Sequence, residues 1–107
     1  MREREFIAVY VMASRMRGTL YIGVTSDLIQ RVYDHREGVR SGFTKTYGCK
    51  TLVWYAPYEV MTEAIQREKS LKRYPRDWKL NLIERENPHW LDLYPSITGQ
   101  LVGPRLV

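Results

Sequence analysis

Glu68 is a carboxylate at a position where helical periodicity calls for an apolar side chain. Ala64, Ile65 and Leu71 form a stripe around it, each three or four residues away. An unpaired buried charge is very costly, so Glu68 needs a partner. A salt bridge to a neighbouring arginine or lysine would serve, as would a stripe edge that reaches water. Mg²⁺ or Mn²⁺ would also serve, because such ions favour carboxylate oxygens, and Mg²⁺ keeps several waters and takes few protein ligands. Arg31 and His35 are four apart and share one helix face. The arginine fork matches phosphate oxygens, and an imidazole exchanges a proton near neutral pH. Tyr10 and Tyr21 fall near the middle of two strand-like runs, where tyrosines mostly pack; their hydroxyls converge if the hairpin register pairs them. Gly23, inside the second run, marks either a bulge or the close approach of another group. Tyr47 lies in the basic stretch Phe43-Thr44-Lys45-Thr46-Tyr47-Gly48, where it can meet a nucleic-acid backbone or base, or fold back on the core.

The elements that must position these residues are legible in outline. Residues 6–12 form an apolar run of strand length rich in β-formers, Arg17-Gly18 marks a turn, and residues 19–24 read as a second strand of an antiparallel hairpin. Thr25-Ser26-Asp27 offers N-cap oxygens for a helix over residues 27–37 that Gly38 ends. Residues 40–48 read as a polar loop, and 51–58 as a third strand, with Pro57 at an edge or a strand end. Thr62 is positioned to cap a second helix that runs to about Arg73, where Tyr74-Pro75 breaks it. A third helix follows over residues 76–86, with Trp78, Leu82 and Ile83 as its expected inward face. The order ββαβαα describes a mixed α/β domain built on a three-stranded sheet. That domain is expected over residues 1–94, with a loosely ordered tail over 95–107.

Composition narrows the partners. The chain has 107 residues, 44% of them apolar, enough for one domain with its own core, and no apolar run approaches the length of a membrane span. The N-terminal Met-Arg-Glu-Arg-Glu lacks the apolar core of a signal peptide. The single cysteine, Cys49, cannot bridge internally, and no Cys/His cluster has zinc spacing, so a cytoplasmic location is the expectation. The net charge of +5 favours an anionic partner. From Arg67 to Lys79 six cations (Arg67, Lys69, Lys72, Arg73, Arg76 and Lys79) face only Glu68 and Asp77, and Arg31, Arg36, Arg40, Lys45 and Lys50 extend the basic middle of the chain. Eight tyrosines beside this charge point towards nucleic acid rather than a plain solvated helix face.

Taken together, these residues resemble a known pattern. Tyr21-Ile22-Gly23 is similar to the second half of the GIY-YIG signature, and Ala8-Val9-Tyr10 stands in place of the first half with its tyrosine kept. Arg31 follows Tyr21 by ten positions and His35 follows by four more, ahead of an isolated glutamate on a later helix. The runs Tyr21-Ile22-Gly23-Val24-Thr25-Ser26-Asp27-Leu28, Gly42-Phe43-Thr44-Lys45 and Arg67-Glu68-Lys69-Ser70-Leu71-Lys72 resemble the small stand-alone endonucleases of this superfamily, akin to the N-terminal domain of excision-repair nucleases. The resemblance covers residues 6–94 and departs from the pattern in three places. Ala8-Val9 replaces Gly-Ile, Val24 stands where some relatives carry lysine, and Asn81 is a candidate for the asparagine that some relatives place on a late helix.

The resemblance implies an α+β GIY-YIG fold, a three-stranded antiparallel sheet flanked by helices. It implies a metal-dependent endonuclease acting on DNA, branched or damaged DNA included, in repair or recombination. One Mg²⁺ or Mn²⁺ would be held by Glu68, Arg31 would contact the scissile phosphate, Tyr21 or Tyr10 would help activate water, and His35 would relay a proton. Lys45, Tyr47, Lys69, Lys72, Arg73 and Arg76 would contact DNA. The physical chemistry agrees with this division. Phosphodiester hydrolysis adds negative charge at an anionic centre, which cations stabilise. A free tyrosine titrates near pH 10, so a phenol acting as a base needs cationic neighbours. A non-catalytic DNA-binding module with the same fold is the competing reading, and a protein partner or a homodimer remains open.

Overall fold

The computed structural model describes residues 6–39 and 42–99. Strands β1 (Ala8–Ala13), β2 (Leu20–Thr25) and β3 (Thr51–Pro57) form one antiparallel sheet in the order β2-β1-β3. Every residue of β1 is buried, since it has a strand on each side and helices on both faces. Its sequence is therefore continuously apolar rather than alternating. One face carries Val9, Val11 and Ala13 against Ala64 and Leu71 of α3 (Met61–Lys72) and Leu80, Leu82 and Ile83 of α4 (Arg76–Glu86). The other carries Ala8, Tyr10 and Met12 against Leu28 and Val32 of α1 (Leu28–Glu37). Each fully buried aliphatic side chain contributes roughly 1.5–3 kcal/mol, so the two faces together fix where α1 and α3 can sit.

The start and stop signals of α1 act as expected. Asp27 accepts a hydrogen bond from the Gln30 amide at 3.2 Å, and Gly38 closes the helix in the left-handed region at φ 69°. Pro57 ends the edge strand β3. A bulge at Val53 breaks the register, because Val11 pairs with Trp54 while Met12 pairs with Leu52.

Four local expectations are corrected. The stretch read as a polar loop holds a short helix, α2 (Phe43–Tyr47), closed by Gly48 at φ 67°, whose own N–H bonds Thr44 O; the Cys49 amide also donates to Thr44 O at 2.9 Å. Helix α3 begins at Met61, not after Thr62: extended Val60 precedes it, no side chain caps it, and Met61 already packs on the core. Trp78 does not face inward but is 57% exposed, because α4 is rotated so that Leu80 and Ile83 meet the sheet. Regular structure also continues past Pro95 in a short helix, α5 (Tyr94–Thr98). Tyr94 and Ile97 pack beside the Tyr10 face of the sheet, and Arg36 of α1 pairs with Asp92 and lies 4.5 Å over the Tyr94 ring. The rest of the expected tail, residues 100–107, lies outside the described residues, as does Arg40.

Candidate active site at the free edge of the sheet

The hairpin register does not pair Tyr10 with Tyr21. Tyr10 stands opposite Gly23, and Tyr21 opposite Met12. A two-residue offset keeps both phenols on one face of the sheet, and their ring centroids are 6.2 Å apart. Gly23 is where the Tyr10 ring passes. A Cβ there would lie 2.6 Å from the Tyr10 hydroxyl oxygen and 2.7 Å from Cζ, so only a hydrogen fits. The ring is thereby aimed across β2 towards α1.

What it meets is His35, buried on the inner face of α1. The Tyr10 hydroxyl is 3.0 Å from His35 Nε2, and His35 Nδ1 is 2.9 Å from Thr44 Oγ1 on α2. A neutral imidazole has one donor and one acceptor, so the two hydroxyls take complementary roles. In one tautomer Tyr10 O–H donates to Nε2 and Nδ1–H donates to Thr44. In the other, Nε2–H donates to Tyr10 and the Thr44 hydroxyl donates to Nδ1. In either tautomer both ring nitrogens are hydrogen-bonded. Tyr21, half-buried, touches the same imidazole edge-on at 5.5 Å, and an aromatic row continues outward through Phe43 (6.0 Å) to Tyr47 (4.6 Å from Phe43). Arg31 lies one turn before His35 on α1 and is half-buried; among the described residues no acidic side chain pairs with its guanidinium.

Glu68 approaches from the opposite face of the sheet. Its side chain is 12% exposed, and Oε2 lies 2.6 Å from Lys72 Nζ, one turn further along α3. The two faces come together at the free edge of β2. There a cavity of about 260 Å³ is lined by Leu20, Tyr21, Ile22, Phe43, Lys72 and Lys79. Tyr21 from one face and the ion-pair partner of Glu68 from the other thus border one opening. Among the described residues no group of three or more His, Cys, Asp or Glu side chains converges.

Leu20 and Lys79 also line a neighbouring cleft of about 470 Å³, bordered by Arg15, Arg17 and Arg76. Two of these cations are engaged in holding the hairpin turn. Arg76 donates to the Arg17 and Gly18 carbonyls at 2.6 and 2.8 Å, and Arg17 donates twice to Glu84 at 2.9 Å. The Glu84 carboxyl, bonded by Arg17 and by Trp90 Nε1, is lowered to about 2. Among the other cations named from the sequence, Lys45 sits on α2 and Lys69 and Arg73 at the end of α3, all exposed. Asn81 lies elsewhere, in a cavity between α3 and α4. The sequence reading missed Thr44, Phe43, Arg15 and Lys79 as neighbours of the site. The glycines bracketing residues 43–47 were the signal for the first two.

Residues 6–81 match the GIY-YIG catalytic domain, well over half of the sequence. The chain belongs to the GIY-YIG family. It is similar, at 39% identity over 67 residues, to the UPF0213 proteins of Staphylococcus aureus strains Mu3, Mu50 and N315. The aligned stretch covers 63% of this chain and 82% of each of those relatives. No solved structure matches with significance. Among the described residues no helix is long and apolar enough to cross a membrane.

Proposed function

We propose that the protein is a divalent-metal-dependent DNA endonuclease that hydrolyses phosphodiester bonds at the edge of β2. The observation that carries this reading is the opening where Tyr21, backed by His35 and Tyr10, faces the Lys72–Glu68 pair across the strand edge. The family's catalytic domain supports the same reaction class. The donor chemistry at Glu68 fits a divalent ion, since a carboxylate oxygen already holds a cation there, the Lys72 ammonium. Mg²⁺ or Mn²⁺ at Glu68 would supply positive charge to a phosphate.

The remaining roles fall to the chain itself. Arg31 binds a nonbridging oxygen of the scissile phosphate and stabilises the charge that grows on it. Tyr21, at the mouth of the cavity, orients the attacking water. His35 holds Tyr10 and accepts or returns a proton at Nε2, with Thr44 fixing the tautomer at Nδ1. Lys79 at the opening and Arg15 in the neighbouring cleft hold the backbone beside the cut, joined by Lys45, Tyr47, Lys69 and Arg73.

The test is cleavage of labelled duplex, single-stranded, flap and branched DNA with Mg²⁺ or Mn²⁺, and with EDTA, by the wild type and by Glu68→Gln and Arg31→Ala. The expected result is metal-dependent cutting that falls by about 10²-fold or more in each variant, with circular dichroism unchanged. Cutting that persists in Glu68→Gln overturns the assignment of that residue. The Lys72–Glu68 ion pair also suits a second reading, a DNA-binding module without catalysis. Salt-sensitive DNA binding with no cutting on any substrate selects it.

A further inference from the structure

Trp78 is the one tryptophan of three that the fold leaves in water: it is 57% exposed, while Trp54 and Trp90 are 5% and 6%. A single exposed aromatic needs no explanation, but this one is built into a pocket. Trp78, Asn81, Leu82 and Arg85 follow at i, i+3, i+4 and i+7 and so share one face of α4. That face meets Arg67 on α3 and Tyr74 just beyond it around a cavity of about 300 Å³. Tyr74 holds the indole edge-on at 5.2 Å and 80°, and is itself held by Arg67, whose Nη1 donates to the Tyr74 hydroxyl at 3.2 Å. The indole thus stands edge-on to the Tyr74 ring, with buried Leu82 among the lining residues.

The charge says what this pocket can take. Two arginines line it and no acidic residue does, so the occupant is anionic. The indole requires a flat apolar face as well, and the Asn81 amide offers one acceptor and two donors at an edge. A nucleotide in a single strand meets all three conditions. In a duplex the base faces are already stacked and out of reach, whereas an unpaired base stacks freely on an aromatic side chain. We propose that the cavity between α3 and α4 binds an unpaired nucleotide of single-stranded DNA, with the base stacked on Trp78 and its phosphates on Arg67 and Arg85. This site is separate from the one around Tyr21: Arg67 and Glu68 are adjacent on α3 and so point about 100° apart. It needs no cleavage to be occupied.

Intrinsic fluorescence tests it directly, because Trp78 is the exposed emitter. The full chain is titrated in EDTA with a short oligothymidylate and, separately, with a duplex of equal length. The single strand is expected to quench the emission, and Trp78→Phe to abolish that quench. Trp78→Ala is expected to weaken single-strand binding by about 5- to 150-fold, the range of base–aromatic stacking, while duplex affinity stays unchanged. Arg85→Ala, an exposed position, gives a second reading should Trp78→Ala disturb the fold, and is expected to weaken single-strand binding too. Single-strand affinity unchanged in both variants overturns the proposal. So does self-association of the wild type that Trp78→Ala abolishes, which would give the face to a second copy of the chain. Failure of the nuclease reading would leave the quench intact, and a nuclease that cuts without any quench would refute this site alone.

Discussion

Gly23 shows how closely the candidate site is packed around one side chain. The Tyr10 ring crosses it, and the same ring hands its hydroxyl to His35. Tyr10 is fully buried, so it cannot swing aside as a surface side chain would. Gly23→Ala must then push the ring off His35 or spread β1 from β2. We expect a loss of about 1–3 kcal/mol, typical of an overpacked core, read as a lower denaturation midpoint, together with a fall in cleavage. A variant as stable as the wild type would show that the ring moves cheaply and that Gly23 is not what aims it. His35 illustrates the opposite case, a polar residue that the core accepts because both of its nitrogens are hydrogen-bonded.

Between elements, the hairpin turn is clamped to α4. Arg17 adopts a left-handed backbone at φ 55°, exposing two carbonyls that Arg76 collects, while its own guanidinium reaches Glu84. The Glu84 carboxyl has a folded pKa of about 2 against an ordinary 4.5. A depressed carboxylate contributes stability that is complete above the ordinary value and is lost as pH falls towards the folded one. The clamp should therefore weaken between about 4.5 and 2. Chemical denaturation of Glu84→Gln beside the wild type would read this: a lower midpoint for the variant at neutral pH, and a gap that closes near pH 2. Because the Arg17 side chain is 56% exposed, solvent screens the pair and the gap is small. A gap independent of pH would assign the effect to packing against Trp90 instead. The clamp residues Arg17, Gly18 and Arg76 also line the cleft beside the β2 edge.

At the scale of the whole molecule, a net charge of +5 sits on a body of 39 × 30 × 28 Å, about the length of one turn of duplex DNA. Binding on that scale rests on phosphate contacts, and the logarithm of affinity falls with the logarithm of salt by about 0.9 per phosphate. Lys79 borders both openings at the β2 edge. Lys79→Ala is expected to lower duplex affinity evenly across sequences and to reduce the salt slope by about 1, measured by fluorescence anisotropy over a salt series. An unchanged slope would place the duplex on another face.

The sequence alone determined whatever depends on neighbours a few residues away. The three strands, the caps of α1, the break at Pro75 and the bounds of α4 follow from local hydrogen bonding and apolar period, and Glu68 stood out as a charge in an apolar stripe. The Tyr-Ile-Gly run, with Tyr10, Arg31 and His35 at their spacings, was enough to mark the family. Only tertiary structure decided how these parts meet. The Tyr10–His35 bond joins residues 25 apart in sequence and exists because the hairpin register and the seating of α1 bring them together. Thr44 became a partner of His35 once a short helix formed where the sequence read as loop. Trp78 faced outward because the rotation of α4 was set by the fit of Leu80 and Ile83 into the core against the sheet. That choice rests on the shape of the opposing surface, which no local pattern of apolar residues encodes.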